Sequence, residues 1–169
     1  MITPVLKIIE AINMRADCPL QIIPGYSNKK RPSDPFTVFY ELQPKIADFW
    51  GGDEVNGEEI ATTYGEFPIQ FDIYANSDIK ARELAYQLWE LIIYKMRYEE
   101  WSYGEIGIIG HTAPKPVHYQ LDSKDDDFYY RYTFDITFES DLKASKLVTY
   151  IREIQITVND KKFTVEEEK

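Results

Sequence analysis

Apolar residues at every second position mark the middle of this chain. In the run from Phe67 to Tyr74, Phe67, Ile69, Phe71 and Ile73 alternate with Pro68, Gln70, Asp72 and Tyr74, the period of a strand with one buried face. Ala75-Asn76-Ser77-Asp78 ends it: Asn76 or Ser77 can accept the free amide protons of a first helical turn, and Asp78 suits that turn's positive end. The period then changes. Ala81, Leu84, Ala85, Leu88, Leu91, Ile92 and Met96 recur at three- and four-residue steps, which predicts one long helix burying a single stripe and ending around Tyr98 to Trp101.

The same pattern places the other elements. Thr3-Pro4 is a helix start, because proline at the first helical position gives up an amide that has no partner there. Val5, Leu6, Ile8, Ile9 and Ile12 are its expected buried side, and Cys18-Pro19 forces the chain extended. A short strand at Leu20 to Ile23 closes at Pro24-Gly25. Phe36 to Gln43 is the next strand, with Phe36, Val38, Tyr40 and Leu42 on one face, ended by Pro44. It is expected to pair antiparallel with a strand covering Tyr64 to Tyr74.

Glu105 to His111 is a glycine-weakened, bulged strand, broken by Pro114-Lys115-Pro116. Phe128, Tyr130, Tyr132, Phe134, Ile136 and Phe138 alternate with polar residues over twelve positions, long enough for a spine of the sheet, and Glu139 to Leu142 should terminate it. Ile151 to Val165 folds back at Asn159-Asp160 into a terminal hairpin. The expected architecture is α+β: an antiparallel or mixed β-sheet with two helices packed on one face, in a single domain over 1–169. That domain is expected to include an inserted acidic loop at about 45–65 and the C-terminal hairpin at about 151–165.

Charge narrows the function. Nineteen basic against twenty-nine acidic residues leave a formal net charge of −10, which repels phosphate and disfavours tight, sequence-independent nucleic-acid binding. One cysteine, Cys18, allows no internal disulfide, and with two histidines it cannot supply a zinc framework. The opening residues lack the basic flank and apolar run of a signal peptide, and no run of about 18 apolar residues is present to span a bilayer. A cytoplasmic protein without membrane attachment is expected.

Catalytic patterns are missing. His111 and His118 sit seven apart across prolines, no nucleophile elbow is present, and Gly51-Gly52 lacks the strand-to-helix setting of a phosphate loop. The basic cluster Lys29-Lys30-Arg31 has no glycine nest beside it. The acidic run Asp122 to Asp127 is a turn, and the carboxylates of 48–59 lack the alternating ligand order of a calcium loop. We expect no enzyme, no metal and no cofactor. Large side chains in a long insertion mark a contact surface, so Phe49, Trp50, Glu54 and Glu58 are candidate interface residues. Ile154, Ile156 and Val158 of the open-edged hairpin are the others.

Phe67 to Ala85, an apolar strand carrying Gln70-x-Asp72-x-Tyr74, a polar break and a helix opening at Ala81 before Leu84, resembles tailed-bacteriophage neck and tail-terminator (tail-completion) proteins. The layout from Thr3 to Val158, with a late strand at Tyr130 to Ile136, is similar to that family as well. The resemblance implies a structural virion protein: a homo-oligomeric ring, commonly hexameric, that caps the tail tube and meets the head connector. DNA would pass through without specific binding. Such a protein belongs in the host cytoplasm during assembly and in the virion neck afterwards. A different class, a small-molecule or peptide-binding module with a groove lined by the surplus Tyr and Trp residues, is the alternative.

Overall fold

The computed structural model describes residues 4–26, 33–48, 50–55, 58–101, 106–117, 130–147, 153–158 and 161–166. They fall into two compact units, Met1–Asp48 with Thr63–Leu142, and Phe49–Thr62 with Lys143–Lys169.

The first unit carries both helices and a mixed sheet, the α+β arrangement the periodicities predict. Helix α1 is Pro4–Asn13, and β1, Ile22–Pro24, lies parallel to β2, Phe36–Glu41. β2 runs antiparallel to β5, Glu58–Ala75, and the two-residue β3, Lys45–Ile46, pairs with β5 further along. Helix α2, Asp78–Glu90, follows β5 and continues without a break as a wider π helix, Leu91–Trp101. β6, Ile106–His111, and β7, Lys115–Val117, both pair antiparallel with β8, Tyr130–Leu147. The spatial order is β1-β2-β5-β8-β6.

One core explains this order. Ile69, Phe71 and Ile73 of β5 and Phe134, Ile136 and Phe138 of β8 are fully buried, and Phe71 stacks on Phe134 with ring centroids 5.2 Å apart. Val5, Ile8, Ile9 and Ile12 of α1 close over these rows, together with Ala81, Ala85, Leu88, Leu91, Ile92 and Met96 of the second helix. Leu6, expected on the buried side of α1, is exposed instead, because the turn's contact is made by Val5 and Ile9. At the end of α1 the Asn13 side chain substitutes for a strand neighbour: its Oδ1 accepts from the Ile22 amide at 2.8 Å and its Nδ2 donates to the Ile22 carbonyl at 3.0 Å.

The structure differs from the sequence reading at several points. In β2 the core takes Thr37 and Phe39, which lie in register with Ile73 and Phe71, while Phe36 and Val38 are buried on the opposite face. A strand covered on both sides shows no useful alternation. Ser77 is the N-cap of α2, extended at φ −136°, but its hydroxyl makes no capping bond. The neighbouring Asn76 amide donates to Asp34 Oδ1, and the Asp78 carboxylate accepts from Tyr132 Oη at 3.2 Å, so the helix start is fixed from other segments. β6 does carry a bulge, between Ile108 and Gly110, leaving Ile109 exposed. Lys115-Pro116-Val117 is not a break but a short edge strand.

β8 does not stop at Glu139. It runs to Leu147, and pairing with β6 accompanies it only as far as Ser140, opposite Ile106. Residues 45–65, read as an inserted loop, are largely strand: β4, Trp50–Val55, pairs antiparallel with the first five residues of β5. The two are joined by Asn56-Gly57, the dipeptide most favoured in two-residue hairpin connections. That hairpin belongs to the second unit, as does a separate two-stranded sheet of β9, Glu153–Val158, and β10, Lys161–Glu166.

Replacing Phe134 by alanine removes a fully buried ring from the stack on Phe71. Denaturant unfolding of Phe134→Ala should show a loss of about 3–5 kcal/mol, with the m-value unchanged.

Candidate assembly surfaces

The seven residues singled out as interface candidates all fall in the second unit. Trp50, Glu54 and Glu58 lie on the β4–β5 hairpin, in register with Thr62, Glu59 and Val55. Glu54 and Glu59 are therefore directly opposite in the ladder. Ile154, Ile156 and Val158 take alternate positions on β9, opposite Val165, Phe163 and Lys161 of β10. Phe49 lies outside the described residues. The other six thus stand on paired strands, in two separate ladders. Asn56-Gly57 was the signal in the sequence for the first.

In the first unit the sheet face away from the helices carries, beside the buried Phe36 and Val38, polar side chains held by bonds that periodicity does not announce. Asp72 has no exposure at all, and its Oδ2 lies 2.5 Å from Arg131 Nη2, a side chain only 14% exposed. Asp72 Oδ1 accepts from Gln70 Nε2 at 3.0 Å, and the Arg131 guanidinium sits 5.9 Å from the Tyr74 ring centroid. Burying both charges costs desolvation, which the short pair and its added hydrogen bonds offset. Further along, Tyr64 Oη donates to Glu139 Oε2 at 3.2 Å. A Cβ at Gly107 would collide with the Glu139 carboxylate, so glycine is what lets this side chain cross the neighbouring strand.

Asp135 lies on the same face. Burial pushes its carboxyl above the ordinary carboxylate range; Lys115 opposes the shift and the nearby Asp72 charge adds to it. Cys18 is half-buried, its Sγ 3.1 Å from the Leu20 carbonyl, and burial raises its thiol as well. The exposed His111 packs edge-on against Trp89 at 5.4 Å, while His118 is outside the described residues. Among the described residues no three His, Cys, Asp or Glu side chains converge as metal ligands, and no helix is long and apolar enough to cross a membrane. What this face offers is charge and hydrogen bonding, arranged to hold strands together.

Two measurements test that account. Arg131→Met leaves Asp72 buried without its cation and should cost about 3–5 kcal/mol, whereas the double variant Asp72→Leu/Arg131→Met, read in the same denaturant titration, should recover most of the loss. Asp135 binds its proton more tightly folded than unfolded, so its contribution is present below the unfolded pKa and is lost as pH rises through the folded one. Asp135→Asn should therefore be more stable than the parent near neutrality, with the difference closing as pH falls below the ordinary aspartate range, as followed by thermal melts against pH.

The comparisons with known proteins bear on the whole chain. No curated protein matches it. A family model described as phage neck terminator protein matches residues 3–164, which takes in both units and every element from α1 to β9. The sheet, its two covering helices and the paired terminal strands accordingly belong to a structural protein of the virion: the chain is a member of the phage neck terminator protein family.

Proposed function

We propose that copies of this chain close into a ring, six in number, that caps the tail tube and joins it to the head connector. The observation that carries this reading is the family match over 3–164, since terminating a tube requires a surface that repeats around the tube axis. Two features support it. The net charge of −10 suits a lumen that lets DNA pass without gripping its phosphates. The β4–β5 and β9–β10 hairpins supply strand edges and, at the facing Glu54 and Glu59, an acidic tip suited to a basic surface on the tube or on a neighbouring subunit. Assembly takes place in the host cytoplasm, and the ring stays in the neck of the virion.

Light scattering and negative-stain imaging of the purified full-length protein, alone and with tail tubes, test the reading. Six-fold rings, free or seated on tube ends, are the expected result. A protein that stays monomeric at high concentration and leaves tube ends bare overturns it. Ile154→Asp/Ile156→Asp and Glu54→Lys/Glu58→Lys should each lower the fraction in rings or on tubes by at least about tenfold, the scale of 1.4 kcal/mol per contact set, with unfolding midpoints little changed.

A further inference from the structure

The second helix changes its winding at Leu91, and the sequence contains a physical reason for the change. From Asp78 to Glu90 the chain is α-helical, burying Ala81, Ala85 and Leu88. From Leu91, whose own amide still reaches the Gln87 and Leu88 carbonyls, the chain to Trp101 is wound as a π helix, the winding closed by bonds to the fifth residue back, and in that segment Leu91, Ile92 and Met96 are buried. No glycine or proline lies between Leu91 and Trp101 to break α winding.

Position 95 is where the two windings differ. Lys95 stands seven residues after Leu88, four after Leu91 and three after Ile92, all of them buried. In α winding those three spacings share one face. A continuous α-helix would therefore turn the Lys95 ammonium into the apolar core, where an unpaired charge is strongly disfavoured. The wider turn sets Met96 one turn beyond Leu91 and rotates Lys95 outwards. Its side chain is 46% exposed, and Nζ lies 3.3 Å from Asp17 Oδ2.

We infer that the positive charge at position 95 selects the π winding of residues 91–101, which makes this segment a winding switch that reverts to α when position 95 becomes apolar. Exclusion of the charge from the core is the cause. The Lys95 to Asp17 pair is exposed on both sides and follows from the outward placement; pairs of that kind contribute little.

High-resolution crystal structures of the full-length protein and its variants test this, reading the acceptor of each amide from Met96 to Trp101. The parent, Lys95→Arg and Asp17→Ala should all bond five residues back. Lys95→Leu should bond four residues back over most of the segment, with the substituted side chain turned inwards beside Leu88. If Lys95→Leu does not fold, deletion of Lys95, which moves Met96 to the seventh place after Leu88, should give the same α pattern. Five-residue bonding retained in both the leucine and the deletion variants, four-residue bonding in the parent, or conversion by Asp17→Ala alone would each overturn the inference.

Discussion

Two rows of large side chains, Phe67 to Ile73 on β5 and Tyr132 to Phe138 on β8, share one face of the sheet, and both helices are laid over them. Each fully buried side chain of this size contributes about 1.5–3 kcal/mol relative to exposure, against a net stability of about 5–15 kcal/mol for a whole domain. Loss of a single central ring is therefore a large fraction of what holds the unit. The helices depend on this contact more than on their own sequences. The hydroxyl of Ser77 does not cap α2, and the turn that opens it is fixed by Asp34, on the segment before β2, and by Tyr132 on β8.

The opposite face imposes a different constraint. Because successive side chains alternate, a one-residue slip of β5 would carry Asp72 into the apolar core and bring Ile73 out. The Asp72 to Arg131 pair penalises that slip from the other direction, since either charge left alone in a buried site is costly. The pair contributes less to net stability than to fixing which faces of β5 and β8 lie together. The same logic governs position 95, where a charge kept out of the core changes how a helix is wound instead of how strands pair.

A ring of the kind proposed must present the same contacts many times around an axis, which calls for both a well-packed support and strand edges free to pair. The first unit has the packing of a support, with its apolar face closed by both helices. The second unit supplies paired strands of mixed charge and apolar positions, the material from which subunit contacts are commonly built. Membership of the family rests on the full span of the match, not on any one of these residues.

Local spacing alone determined much of this protein. The strand-to-helix passage at Phe67 to Met96, the core rows, the bulge in β6 and the resemblance carried by Phe67 to Ala85 are all written in neighbouring residues, because pleat and helical turn are themselves local periodicities. Tertiary structure decided the rest. That β2 is covered on both faces, that Asp72 finds Arg131, that β8 outlasts its apolar alternation and that Leu91 to Trp101 winds as a π helix all depend on what lies across the sheet or under the helix. Those partners are remote in the chain, and periodicity says which face a residue takes but not what will meet it there.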